Sequence, residues 1–240
     1  MTMTDHRTAS PSIPSTVTSS PMRIIVVANQ KGGVGKTTVA MQLGAALSRR
    51  HRVLVVDVDH QQSTVWWAQN LHQRLPFDFA GNQSPQTLAR LRELHLEYDF
   101  VLVDTPGAID NTLALEAALD AADYAVVPLT PEPLAVEPTM RTITRLIEPR
   151  RLRYAVLLNR IDPRIPTQLH TWQELLDTTW GVPRLAAYLR QYKTQAEAPI
   201  LGQLVTDLRD NRRTAGTIAD VTRVGLEVAQ QVTPAVAARW

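Results

Sequence analysis

No cysteine occurs among the 240 residues. That excludes a disulfide framework, a thiol nucleophile and any cysteine-ligated metal or iron–sulfur cluster. No apolar run approaches the ~20 residues that a bilayer-spanning helix needs, and the N-terminus shows no apolar stretch of secretory type. A cytoplasmic protein is the expectation. Lysine is scarce too: Lys31, Lys36 and Lys193 stand beside 22 arginines. Two of the three fall close together in a Gly-rich segment. A chain that otherwise carries its positive charge on Arg points there to a need for compact ammonium groups, because the two residues are not interchangeable where a small charge must fit.

What is present is ample for a core. The chain is 44% apolar and 20% charged, which excludes wholesale disorder. Residues 1–21 contain 13 Ser, Thr or Pro residues and read as a disordered tail. A single folded domain is expected over 22–240. Its charge is uneven. Residues 1–140 carry 10 Lys and Arg against 14 Asp and Glu, and residues 141–240 carry 15 against 9. A basic C-terminal part points mildly to a polyanionic partner such as nucleic acid; uneven surface charge alone would give the same count.

Ile24–Ala28, Val53–Val56, Phe100–Val103, Tyr124–Val127 and Tyr154–Leu158 are short β-branched and apolar runs of the kind buried on both faces of a parallel sheet. Helices are expected near 37–50, 63–75, 84–96, 111–121, 134–147, 167–179, 195–209 and 215–232, with a further short strand near 184–188. In the last helix Ile218, Val221, Val224, Val228 and Val232 form a core-facing stripe. Alternating strands and helices imply right-handed crossovers: an α/β fold with a mostly parallel twisted sheet and helices on both faces, binding ligand at the carboxyl ends of its strands.

Between the first strand and first helix stands Asn29-Gln30-Lys31-Gly32-Gly33-Val34-Gly35-Lys36-Thr37-Thr38, the setting a P-loop NTPase requires. The backbone N–H groups of Gly32, Gly33, Val34 and Gly35 can form an anion nest, aided by the helix dipole. Lys36 would reach the β- and γ-phosphates, Thr37 would place its hydroxyl on Mg²⁺, and Thr38 would contact the α-phosphate. The usual pattern has Gly where Gln30 stands, and Lys31 follows at once. An ammonium on the outer rim is placed to cross into a partner's site, as an arginine finger does.

This loop, with Asp57-Val58-Asp59-His60-Gln61 after the second strand and Asp104-Thr105-Pro106-Gly107 after the third, resembles the deviant Walker-A ATPases. Within them it is similar to the short ParA partition proteins that lack an N-terminal DNA-binding domain. The resemblance is strong from about residue 23 to 160 and rests on pattern alone to 232. His60 departs from the Pro common in the family's acidic loop. The resemblance implies that Asp59 orients the attacking water, that Asp57 supports the loop and the metal shell, and that Asp104 holds Mg²⁺ directly or through water. Strand-end aspartates also serve as helix caps. It further implies that Asn159 reads the adenine edge and that the Pro131–Pro133 loop helps seat base and ribose, although a plain turn explains those prolines equally.

The same resemblance implies ATP, ADP and Mg²⁺ as ligands, a homodimer formed with ATP, and nonspecific DNA binding by that dimer. A ParB-like centromere-binding partner would accelerate slow hydrolysis, so that a plasmid or chromosome is partitioned by a nucleoid-associated cytoplasmic ATPase. Arg184, Arg190, Lys193, Arg209, Arg212 and Arg213 are the candidate DNA contacts, each equally readable as a solvated surface residue. No membrane is expected: the C-terminal Pro234-Ala235-Val236-Ala237-Ala238-Arg239-Trp240 is a weak anchor. A MinD-like membrane ATPase and a positioning ATPase for another cargo, such as a microcompartment, are the alternatives. A metabolic ligase would have little use for Lys31, and a nitrogenase-reductase-like carrier would need cysteines.

Overall fold

The computed structural model describes residues 21–59, 63–81, 84–107 and 112–233. Nearly all of the Ser/Thr/Pro-rich tail, His60 and Gln61, and residues 234–240 lie outside them. Six strands form one sheet: β1 (Arg23–Val27), β2 (Val53–Asp57), β3 (Asp78–Ala80), β4 (Phe100–Asp104), β5 (Tyr124–Leu129) and β6 (Arg153–Leu158). Their order is β3-β2-β4-β1-β5-β6, and every neighbouring pair is parallel. Helices α1 (Lys36–Leu47), α2 (Ser63–Asn70), α3 (Pro85–Leu88), α4 (Thr112–Ala121) and α5 (Pro133–Thr142) connect them, and α6 (Gln168–Glu174), α7 (Lys193–Glu197) and α8 (Ala215–Val232) follow β6.

Strand alternation divides the apolar residues between two cores. Ile24, Val26, Leu54, Val56, Val101 and Val103 face α4, α5 and α6 through Leu115, Leu119, Ala135 and Trp172. Ile25, Val27, Val53, Val55 and Leu102 face α1 and α8 through Met41, Leu43, Val221, Val224 and Val228. The expected stripe on α8 is buried as written, with Ile218 packed at its edge. Central strands buried on both sides have no polar face, which is why they are continuous apolar runs.

Five features differ from the sequence expectation. β3 has three residues and too little pattern to be read. The helix expected over 63–75 stops at Asn70, where the His72 N–H turns to the Gly202 carbonyl at 3.0 Å. The segment 84–96 is only α3 followed by a 3-10 turn. The helix expected over 195–209 is only α7, which ends at Glu197; Ala198 keeps helical geometry, and turns in which the Leu201 N–H returns to the Glu197 carbonyl and the Gln203 N–H to the Ala198 carbonyl carry the chain on. The strand expected near 184–188 is an extended segment making two isolated parallel bridges, Val156 with Arg184 and Ile161 with Arg190.

Candidate nucleotide site

The carboxyl ends of β1, β2, β4, β5 and β6 meet at one edge of the sheet, and the phosphate loop crosses it. Gly35, at φ +89°, precedes α1, and a Cβ there would lie 2.6 Å from the Asn159 Nδ2 atom. Only glycine suits both the left-handed backbone and that close approach. Helix α1 has no side-chain cap and no acidic residue in its first turn, so its leading N–H groups are left for an external anion. Gly32 and Gly33 face open space.

Lys36 is buried, and its Nζ donates to the Lys31 carbonyl at 3.2 Å. Burial lowers its pKa, opposed by the charges of Asp104 and Asp59. A Cβ on Gly107 would stand 2.6 Å from that Nζ and 3.1 Å from the Gly32 Cα, so the chain after β4 backs directly onto the lysine. Lys31 is half-buried on the rim, and its ammonium makes no ion pair among the described residues.

Parallel pairing sets Asp57 beside Asp104. Both are fully buried. Thr64, the second residue of α2, donates to Asp104 Oδ2 at 2.5 Å, and Thr37 also hydrogen-bonds this carboxyl. Burial pushes Asp104 up to about 7, against the pull of those hydroxyls and of Lys36. Burial likewise raises Asp57, although its Oδ1 accepts the Asp59 N–H at 2.8 Å. Asp57 Oδ2 and Asp104 Oδ1 are buried with no hydrogen-bond partner among the described residues. Two orphaned acceptors beside Thr37 suit a divalent cation that completes its shell with water and phosphate oxygens; no cage of three or more His, Asp or Glu exists among the described residues.

Asn159 directly follows β6, is buried, and donates its amide to the Val34 carbonyl at 2.8 Å. It therefore braces the phosphate loop from below. It also lines a cleft of about 240 Å³ together with Thr38, Arg160, Arg190, Tyr192 and Gln195. Sequence reasoning missed the cleft's far wall, because residues 188–199 have no periodic pattern. It missed Thr64 as well, although a hydroxyl directly after the acidic loop was a usable signal. The Pro131–Pro133 stretch is the entry to α5, with Pro133 in its first turn, where a missing N–H costs nothing.

The basic candidates do not form one group. Arg184 holds Asp177 through two hydrogen bonds of 2.8 Å. Arg190 grips buried Asp220 at 2.7 and 2.9 Å and stacks over Tyr192 in the cleft. Lys193 faces Glu197 at 3.4 Å. Arg209, Arg212 and Arg213 are exposed and without an ion pair among the described residues.

Known proteins match this architecture. The family described as the CobQ/CobB/MinD/ParA nucleotide binding domain covers residues 25–238. The chain is 41% identical to the Maintenance of carboxysome distribution protein A of Gloeobacter kilaueensis, over 88% of this chain and 95% of that protein. It is 30% identical to the Chromosome partitioning protein ParA of Caulobacter vibrioides, over 62% of this chain and 73% of the other. The solved MinD cell division protein of Aquifex aeolicus superposes with a TM-score of 0.70 at 20% identity, covering 87% of this chain and 97% of that one. With a strand–loop–helix phosphate cradle, a buried lysine and paired strand-end aspartates in place, the chain belongs to the CobQ/CobB/MinD/ParA family and is a P-loop ATPase.

Proposed function

We propose that this ATPase distributes a cargo inside the cell, and that the cargo is a carboxysome-type microcompartment. The observation that carries this reading is the 41% identity, across 95% of its length, to the Gloeobacter protein named for carboxysome distribution. In this reading the expected plasmid or chromosome gives way to the runner-up cargo. Partition of DNA stays as the second reading, favoured by the 30% identity to the Caulobacter protein.

The residues would divide the work as follows. Lys36 and the N–H groups of Gly32, Gly33, Val34 and Gly35 hold the β- and γ-phosphates of ATP, and Thr38 holds the α-phosphate. Mg²⁺, when bound through Thr37, Asp104 and Asp57, neutralises charge on the phosphate oxygens. Asp59 orients the attacking water. Lys31 reaches the phosphates of the second subunit, so that cleavage requires the ATP dimer. Asn159, its amide nitrogen committed to Val34, offers its carbonyl to the adenine amino group in the cleft.

The ATP dimer then rides on DNA through Arg209, Arg212, Arg213 and Lys193. Arg184 and Arg190, held by carboxylates, contribute less to that face. Contacts of this kind neutralise phosphates, ignore sequence and weaken with salt. An adaptor on the cargo, ParB-like in role, stimulates hydrolysis and releases the dimer, which leaves the protein nucleoid-associated between cycles. Two measurements test this. Gel shifts on duplex DNA should show binding with ATP alone, fading as salt rises; binding independent of nucleotide would sink the cycle. Deleting the gene in its host and imaging a tagged shell protein should turn even spacing into clumps. Unchanged spacing with increased plasmid loss would transfer the assignment to DNA partition.

A further inference from the structure

The start of the phosphate loop hangs from helix α5. Asn29 is buried and donates its amide to the Pro128 carbonyl at 2.9 Å and to Thr139 Oγ1 at 2.8 Å. The Gln30 N–H donates to Thr142 Oγ1 at 3.0 Å. Arg141 Nε donates to Gln30 Oε1 at 3.1 Å, while its Nη1 holds Glu137 at 2.9 and 3.1 Å. The Lys31 N–H donates to Asn29 Oδ1 at 2.9 Å, and the Lys31 carbonyl accepts from Lys36. The Lys31 N–H is thus fixed through Asn29, which Thr139 of α5 and the Pro128 carbonyl hold, while its carbonyl is fixed by Lys36 of α1.

The C-terminal half of α5 is irregular. Pro138 lies inside α5 and has no N–H to give. The Thr139 and Thr142 hydroxyls donate back to the Ala135 and Pro138 carbonyls, at 2.7 and 2.8 Å. Each hydroxyl thereby donates once within the helix and accepts once from the loop. A π-helical stretch, Ile143–Ile147, follows directly; such turns concentrate at functional sites. A lysine that must leave its own loop in a set direction has many rotamers to lose, so a fixed backbone origin matters more than for a short side chain.

We propose that Arg141 is a positioning residue for Lys31, acting through Gln30 and supported by Thr139 and Thr142. It aims the rim lysine at the second subunit and touches no nucleotide itself. The inference rests on the reading of Lys31 as a residue that works across the dimer. The full chain is assayed for turnover, for ATP-dependent dimerisation by light scattering, for affinity toward a fluorescent ATP analogue, and for melting temperature. Arg141→Ala should keep nucleotide affinity within about twofold and weaken both dimerisation and turnover about tenfold, the scale of one charge-assisted hydrogen bond. Gln30→Ala should do the same, and the double variant should be no worse than either single one, since residues acting in series are not additive. Arg141→Lys, which keeps a charged donor, should recover part of the loss.

A drop in nucleotide affinity and melting temperature that matches the drop in turnover would mark Arg141 as structural only and overturn the proposal. So would fully additive losses in the double variant. If Lys31→Ala lowers turnover while Arg141→Ala does not, this proposal alone fails. If Lys31→Ala turns over normally, the reading of Lys31 fails and takes the proposal with it.

Discussion

The two ends of the same parallel sheet use aspartate in opposite ways. At the amino ends, every oxygen that matters is satisfied. Asp123 accepts the Ile24 N–H at 2.8 Å and a bidentate grip from Arg92 at 2.8 and 2.9 Å. Asp99 accepts the Arg52 N–H at 2.8 Å and its guanidinium at 2.9 Å. At the carboxyl ends, Asp57 and Asp104 are more deeply buried and each leaves one oxygen without a partner among the described residues. Burying an unsatisfied acceptor is a cost that folding alone gives no reason to bear. The contrast separates carboxylates that the fold fully satisfies from carboxylates that it buries at a cost, and it does so without reference to any motif.

The largest expected effect separates the two ends by activity. Asp104→Asn should lower ATP turnover on the order of 10²-fold or more, the scale typical of losing a group that places charge at a phosphoryl-transfer site. Asp123→Asn should leave turnover per folded molecule unchanged. Comparable losses from both would erase the distinction.

The same pair should separate with reversed sign in stability. Asp123→Ala leaves the Ile24 N–H and the Arg92 guanidinium unanswered, and should cost about 1–3 kcal/mol. For a domain of this size, that is a drop of several degrees in melting temperature. Asp104→Asn removes a buried charge with no ligand to meet it, so the nucleotide-free variant should melt higher than the parent at pH 8. A lower melting temperature for Asp104→Asn would show the carboxylate to be structural after all.

How much of this was legible beforehand follows from chemistry along the chain. The loop from Gln30 to Thr38 and the aspartates ending β2 and β4 are local: residue type, spacing and a flanking apolar strand suffice to place them. The central strands are legible because burial on both faces removes every polar residue from them. What escaped was built by distant contacts. Asn159 could be placed at a strand end but not seen to brace Val34, 125 positions away. Arg190 counts as one more basic residue until Asp220 folds against it. The helix expected over 63–75 breaks near 70 because the His72 N–H is captured by the Gly202 carbonyl across the fold, which no periodicity records.

The pH dependence of stability is the most discriminating test of the comparison, because it predicts opposite slopes in two pH windows. Burial holds Asp104 up at about 7 in the folded, nucleotide-free protein, against an ordinary carboxylate value near 4 when unfolded. The folded state therefore binds the extra proton, and the stability associated with that proton is lost as pH rises from about 4 toward 7. Asp99 behaves in reverse. Burial raises it, but the hydrogen bonds from the Arg52 side chain and backbone outweigh that and hold it below its ordinary value. Its contribution is present above about pH 4 and is lost as pH falls further. Because its partner lies at the surface, that contribution should stay below about 1 kcal/mol and shrink with salt. Urea titrations of the nucleotide-free protein from pH 3 to 8 should thus find Asp104→Asn flattening the neutral-side fall and Asp99→Asn flattening the acid-side one. If both substitutions altered the same limb, the two ends of the sheet would not differ in the way their hydrogen bonds require.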